Sequence, residues 1–228
     1  VLIEYVSANP TGPLHLAHGR GAVTGDLLAR LLSFAGYEVT REYYINDVGN
    51  QIDILGRSVY LRYAELWGRP LLAPEDFYPG SYIQDIATAW RDLYGDRFLD
   101  QPESSWLELF RSYAMQQLLE RIKLDLEAFG VRYDVFTSER ELLAQADLPG
   151  LIARLDAAGH IYRQDGKVWF RSTTFGDDKD RVLLREDGRG TYFASDVLYH
   201  LDKIGRGYDQ LINVWGADHG GYAARVKA

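Results

Sequence analysis

The stretch from Val1 to Leu66 alternates between two hydrophobic periods, and that alternation limits the folds open to the chain. Val1 to Val6 is a short apolar run interrupted by Glu4, and the turn cluster Ser7-Ala8-Asn9-Pro10-Thr11-Gly12-Pro13 stops it. Pro13 suits the first position of a helix in which Leu27, Leu28, Leu31, Leu32 and Ala35 recur at helical spacing before Gly36 closes it. Tyr37 to Ile45, rich in tyrosine and β-branched residues, reads as a second strand. Asp47 is placed to cap a helix with Ile52, Leu55, Val59, Tyr63 and Leu66 on one face. Strand, helix, strand, helix favours a parallel sheet with right-handed crossovers.

Beyond Leu66 the pattern changes. Pro70, Pro74, Pro79 and Gly80 break up the region of about 68–102 around one helix, Ser81 to Tyr94, and the region reads as an insertion. Glu103 to Phe129 is expected as one long helix and Val131 to Phe136 as a strand. Ser138 and Glu141 have capping-box spacing for a helical stretch ending near Gly159. Asp165-Gly166 centres a hairpin from His160 to Arg171, and a further strand pair is expected between Thr173 and Arg185, giving a β-hairpin region at about 160–185. Thr191 to Ile204 reads as a helix and Gln210 to Trp215 as a buried strand. Gly216-Ala217-Asp218-His219-Gly220-Gly221 then leads into a last helix.

With 228 residues, 46% hydrophobic and 25% charged, the chain has the make-up of an ordinary globular protein, which excludes disorder and fibrous architectures. The absence of cysteine excludes a disulfide framework, thiolate zinc sites and a thiol nucleophile, and fits a reducing compartment. No run is long enough for a membrane span and no basic start precedes an apolar run, so a soluble, cytoplasmic protein is expected. The net charge of -8 argues against a large phosphate-gripping surface but not against a local one. The sequence opens inside a strand and closes on Arg225-Val226-Lys227-Ala228 in mid-helix, as though excised from something longer.

Chemistry concentrates where the first strand gives way to the first helix. His15 and His18 lie three apart and share a helix face at an N-terminus, where unpaired amides and a partial positive charge favour phosphate. Imidazoles there can follow charge developing on a transferring phosphoryl group, while Gly19 and Gly21 let a flat base approach the backbone. Taken bare, the pair reads as structural or incidental sooner than as a ligand set. The zinc-protease spacing of four, with a glutamate beside the first histidine, is not met, and no metal site is expected.

The surroundings of the pair are more specific. The string from Glu4-Tyr5 through Ser7-Ala8-Asn9-Pro10-Thr11-Gly12-Pro13-Leu14-His15-Leu16-Ala17-His18-Gly19-Arg20-Gly21 resembles the first signature of class I aminoacyl-tRNA synthetases in the form of the arginyl-tRNA synthetases. Arg41-Glu42-Tyr43-Tyr44-Ile45-Asn46-Asp47, Tyr78-Pro79-Gly80, Tyr133-Asp134-Val135-Phe136 with Glu139, Thr191-Tyr192-Phe193-Ala194-Ser195-Asp196 and Asn213-Val214-Trp215-Gly216-Ala217-Asp218-His219 are similar to that family in the family's order. The likeness covers essentially the whole chain. One departure is Ala17, which stands where the family's His-x-Gly-His has glycine.

The resemblance implies an α/β fold: the Rossmann-like open parallel sheet of class I aminoacyl-tRNA synthetases, one catalytic nucleotide-binding domain over residues 1–228, incomplete at its C-terminus and carrying an inserted connective region. It implies ATP as a substrate with Mg²⁺ on the phosphates, L-arginine activated to arginyl-adenylate, and tRNA(Arg) as acceptor and partner. A monomer without membrane association is expected. His15 and His18 would be catalytic and, with Gly19, Gly21, Gly216, Asp218 and His219, would bind ATP. Glu139 and Asp196 would pair with the guanidinium, Tyr192 would stack on it or hydrogen-bond to it, Ser7, Asn9 and Glu4 would hold the amino-acid end, and Asp218 would touch either substrate.

Plainer readings stand beside these. Asp196 could serve a helix macrodipole, Glu139 follows the cap Ser138, and Ser7 and Asn9 are ordinary loop residues. Asp218 and His219 end a strand, where solvated polar groups are common, and His160 and His200 read as structural. The family's second, lysine-containing signature has no counterpart before Ala228, so the chain alone is expected to aminoacylate poorly or not at all. The rivals are another nucleotidyltransferase with the two-histidine signature on the same superfold, and a non-catalytic synthetase-like protein that binds arginine or RNA.

Overall fold

The computed structural model describes residues 1–216 and 222–228. The chain divides into two compact units. The first comprises Val1–Val6, Gly21–Tyr44 and Tyr133–Ala228; the second comprises Ser7–Arg20 and Ile45–Arg132.

The first unit is built on a four-stranded sheet. Its strands are β1 (Leu2–Tyr5), β2 (Thr40–Ile45), β3 (Val135–Ser138) and β7 (Leu211–Val214), in the order β3-β2-β1-β7. β1 pairs in parallel with β2, Leu2 opposite Thr40, and with β7, Leu2 opposite Leu211. The parallel sheet expected from the alternating pattern is therefore present. β1 has a neighbour on each edge and buries all of its residues, which explains why it reads as an apolar run rather than as an alternation. Helix α1 (Leu16–Phe34) lays Gly25 on Tyr5 so closely that a Cβ there would lie 2.2 Å from the ring. Glycine at this helical position serves close approach, not backbone freedom.

A smaller antiparallel sheet, β4 (Ile161–Gln164), β5 (Lys167–Phe170) and β6 (Arg181–Leu184), belongs to the same unit. Asp165 and Gly166 turn its hairpin with φ of 51° and 70°, as the Asp-Gly pair predicts. Ile152, Ile161, Val168, Phe170, Leu183, Phe193 and Ala194 form its core. Ile152 comes from α6 (Leu148–Ala157), and Phe193 and Ala194 come from α7 (Tyr192–Gly205), which Thr191 caps by accepting from the Ala194 amide at 3.3 Å.

The second unit is helical. α2 (Asn50–Glu65), α3 (Ser81–Tyr94) and α4 (Glu103–Ala128) share one core that includes Leu55, Val59, Tyr63, Ile83, Trp90, Phe110 and Leu118. α4 buries Trp106, Phe110, Ala114, Leu118, Ile122 and Leu126, a strict step of four that gives a 26-residue helix one inward seam. α3 is the helix expected from Ser81 to Tyr94.

Several boundaries differ from the expectations. α1 starts at Leu16 rather than Pro13, because His15 carries the first helical carbonyl, which accepts from Gly19 at 3.1 Å. Asp47 does not cap α2. Gly49, with φ of 99°, precedes it, and Asp47 is buried with its amide bonded to the Ile45 carbonyl. The third strand begins at Val135, not Val131. The stretch after Ser138 is two helices, α5 (Glu139–Gln145) and α6, because Asp147 caps the second and Pro149 cannot continue the first. Between Thr173 and Arg185 there is one strand and a short 3₁₀ turn, not a strand pair. β7 is half-buried along its length, as an edge position allows. α8 (Tyr222–Lys227) is the last helix.

Gly25→Ala is expected to destabilise the protein by about 1–3 kcal/mol, the usual cost of overpacking. Urea unfolding followed by tryptophan fluorescence measures it, and an unchanged midpoint would contradict the close approach.

Candidate active site

Strand β1 ends in strained backbone. Val6 and Ser7 both have positive φ, 67° and 43°, which is unusual for a β-branched residue and its neighbour in succession. Such strain persists only where surrounding structure enforces it.

In the second unit, the turn from Ser7 to Arg20 has its own anchors. The Thr11 amide donates to the Asn9 carbonyl at 2.8 Å, and the Asn9 side-chain amide donates to Gln51 Oε1 of α2 at 2.8 Å. His15 and His18 stack with ring centroids 3.7 Å apart. The His15 amide donates to His18 Nδ1 at 3.2 Å. His15 is thus the helix cap, and the third helical residue reaches back to its N–H as a glutamate does in a capping box, with imidazole in the acid's place. Nδ1 accepts only when it carries no proton, so the ring is neutral with its hydrogen on Nε2. Burial, then the neighbouring His15, holds His18 below the ordinary histidine pKa, which agrees with that tautomer. The turn therefore offers a fixed Nε2–H donor at a helix start. Gly19 and Gly21 have open space where a Cβ would point, and Ala17 is exposed.

In the first unit, three acids converge. Glu4 on β1 is 7% exposed and Glu139, the first residue of α5, is 4% exposed. Asp196 lies on α7, and its carboxyl is pushed up to about 7, mainly by burial, then by Glu139 and Glu4, with Arg225 pulling it down. Among the described residues no side chain hydrogen-bonds the Asp196 carboxylate. Ser138 does cap α5, accepting from the Glu141 amide at 3.1 Å, but a capping role does not require Glu139 to be buried. A macrodipole role likewise does not explain an Asp196 that pays to ionise.

Sequence reasoning missed what stands behind these acids. Lys203, 1% exposed, donates to Glu4 and, at 2.8 Å, to Asn213 Oδ1. The Asn213 amide donates to His200 Nε2 at 3.0 Å, and His200 Nδ1 donates to the Asp196 carbonyl at 2.8 Å. Burial keeps His200 neutral, which fits both bonds. One chain of contacts thus runs from Glu4 to the backbone of Asp196. Lys203 follows Asp196 by two helical turns, a spacing that was available in the sequence.

Of the other expected site residues, Tyr192 is 62% exposed at the first turn of α7, and Gly216 is exposed after β7. Asn9 is exposed and Ser7 half-buried. Asp218 and His219 lie outside the described residues. Among the described residues no cluster of three His, Asp or Glu could hold a metal ion.

A parallel sheet whose central strand runs through a turn into a two-histidine helix start is the arrangement of a class I synthetase nucleotide fold. Residues 1–206 match the family described as tRNA synthetases class I (R), catalytic domain, and the chain belongs to that family. It is 53% identical over 228 residues to the arginine–tRNA ligase of Bacillus subtilis (strain 168) and 51% identical over 243 to that of Ruegeria sp. (strain TM1040). All of the chain is covered in both, with 41% and 42% of the relatives. It spans about two fifths of the length of these curated relatives. Among solved structures, a Campylobacter jejuni chain assigned to the arginyl-tRNA synthetases superposes with a TM-score of 0.92 at 45% identity, over 99% of this chain and 49% of that one. The Thermus thermophilus arginyl-tRNA synthetase gives 0.63 at 26% identity, over 90% and 36%. Membership of this family sets aside the rival nucleotidyltransferases of the same superfold.

The Asp196 shift fixes a pH dependence. The carboxyl titrates near 3.8 when unfolded and about 7 when folded, so between these values the folded state holds a proton that the unfolded state lacks. Stability therefore falls as pH rises through that window, and the cost is complete above about pH 7. Asp196→Asn lacks the cost. Its Tm is expected to exceed that of the wild type at pH 8, with the gap closing toward pH 4; a gap independent of pH would contradict the shift.

Proposed function

We propose that the chain is the catalytic part of an arginine–tRNA ligase, which activates L-arginine with ATP and passes the arginyl group to the 3′ end of tRNA(Arg). The observation that carries the arginine half is the buried, poorly solvated acid group of Glu4, Glu139 and Asp196. A guanidinium is planar, permanently charged and best held by forked hydrogen bonds in a partly dry pocket. A substrate cation would offset the burial, and then the acid–acid repulsion, that raise Asp196, so the site is poised to gain from binding one. Glu139 and Asp196 take the guanidinium in this reading, Tyr192 covers it, and Ser7, Asn9 and Glu4 serve the amino-acid end.

The nucleotide half rests on the turn. An arginine carboxylate oxygen attacks the α-phosphorus, the bond to the bridging oxygen breaks, and pyrophosphate leaves. The protein forms no bond in this step, so positioning and charge stabilisation do the work. His15 and the Nε2–H of His18 donate to phosphate oxygens as charge develops, and Gly19 and Gly21 give the base access to the helix start. The donors at this turn are imidazole and amide N–H groups, a set suited to phosphate oxygens. Mg²⁺ would therefore be held by the triphosphate and would neutralise its charge. Gly216, Asp218 and His219 complete the nucleotide contacts in this reading. A terminal hydroxyl of tRNA then attacks the arginyl carbonyl carbon, and AMP departs.

No helix among the described residues is long and apolar enough to cross a membrane. A monomeric, cytoplasmic enzyme belongs to the same reading, and a chain without cysteine fits a reducing compartment.

Calorimetric titration of the full-length protein with L-arginine, with citrulline and lysine as controls, tests the reading. Arginine is expected to bind and both analogues to fail. Because the cation needs Asp196 ionised, affinity should fall roughly tenfold per pH unit below about 7 and level off above it. Asp196→Asn should flatten that profile and weaken binding roughly 10- to 100-fold, the loss of a hydrogen bond to a charged group. A citrulline affinity equal to that of arginine would remove the acids from the guanidinium.

A further inference from the structure

Tyr82, in the first turn of α3, has no part in the chemistry above, yet its hydroxyl donates to the Thr11 carbonyl at 2.9 Å. Thr11 stands in the middle of the turn that leads to His15 and His18. Two glycines flank the tyrosine. A Cβ on Gly12 would lie 3.1 Å from the Tyr82 hydroxyl and 3.4 Å from the ring carbon that carries it. A Cβ on Gly80 would lie 2.2 Å from the ring. Neither glycine needs unusual backbone: Gly80 has φ of -60° and ψ of 150°, and Gly12 is not among the positive-φ glycines. Both positions are therefore empty for the benefit of the ring.

The anchor behind that ring is firm. Ile83, Ile86, Ala87 and Trp90 bury α3 in the core it shares with α2 and α4. Burial raises the pKa of the Tyr82 hydroxyl, which keeps it a donor. The turn is thus tied to two helices, by Asn9 to Gln51 and by Thr11 to Tyr82.

We propose that Tyr82 is a positioning residue for the phosphate-handling turn: its hydroxyl holds the Thr11 carbonyl, Gly12 and Gly80 clear the path, and His15 and His18 are thereby set for phosphoryl transfer. The proposal rests on the reading of that turn as the nucleotide site. Small displacements of transition-state donors are costly to rate and cheap to ground-state binding, so the effect belongs in kcat.

The test is arginine-dependent pyrophosphate exchange by the full-length protein with tRNA(Arg) present, with Y82F, G12A and G12A/Y82F, alongside amide hydrogen exchange of the peptide covering residues 7–20. Y82F should lower kcat roughly five- to tenfold, about the weight of one net hydrogen bond, and leave the KM for arginine within about twofold. G12A should cost a similar factor by pushing the hydroxyl aside. In the Y82F background G12A should cost nothing further, since the nearest ring carbon would be at ordinary contact distance. A purely structural role would not produce that suppression. Amides of the turn should exchange faster in Y82F than in the wild type. Multiplying losses in the double variant, or an unchanged kcat with unchanged exchange in Y82F, overturns the proposal. A wild type that catalyses no pyrophosphate exchange would refute the nucleotide reading instead, and turn protection unaltered by Y82F would still overturn the positioning claim.

Discussion

Glu4 lies on β1, a strand flanked on both sides in the parallel sheet, and its carboxylate keeps little contact with water. Its burial is bearable because Lys203, itself almost wholly enclosed, brings a full counter-charge from α7. The lysine is further held by the Asn213 side chain of β7 and lies over the Tyr199 ring, 4.1 Å from its centroid. Neither charge could be kept alone, since an isolated buried ion costs far more than the pair. The strand, its neighbour and the helix are therefore fixed to one another by a single requirement for neutrality. That geometry in turn sets where Asp196 stands, through His200 and its bond to the Asp196 carbonyl.

The second unit solves a different problem, how to present donors at a helix start without losing them to the helix. The usual residues for the third helical position are acids or amides, which would repel or waste a phosphate. His18 satisfies the His15 amide with one nitrogen and leaves the other to donate. The capping bond uses one edge of the ring, leaves the other edge for the proposed phosphate contact, and settles which edge carries the proton. The left-handed pair Val6 and Ser7 shows the same economy in the backbone, since the strain falls where the strand must give way to the turn.

Much of this was legible in the sequence. The period change between β1 and α1, the Asp165-Gly166 turn and the Ser138 cap each depend on a few adjacent residues, and each appears where those residues stand. The misplaced boundaries have local causes as well: His15 rather than Pro13 carries the first helical carbonyl, and Asp147 interrupts what hydrophobic spacing joins. Glu139 and Asp196 could be named from resemblance, but their convergence could not be read from spacing, because they lie 57 residues apart on separate helices. Lys203 escaped notice for a plainer reason. A lysine in a helix with acids nearby is nearly always a solvated residue, and only the fold turns this one inward.

The close-approach glycines Gly12, Gly25 and Gly80 share a property that concerns the history of the sequence more than its energy. Glycine has the smallest side chain available, so any replacement at these positions adds volume, and each faces a tyrosine with little or no slack. The tyrosines can change toward smaller residues, whereas the glycines have only one direction in which to change. Drift in this part of the chain is therefore lopsided. A larger residue opposite Tyr5 or Tyr82 costs less once the ring has shrunk, which makes the order of substitutions, and not merely their sum, a determinant of what each descendant loses.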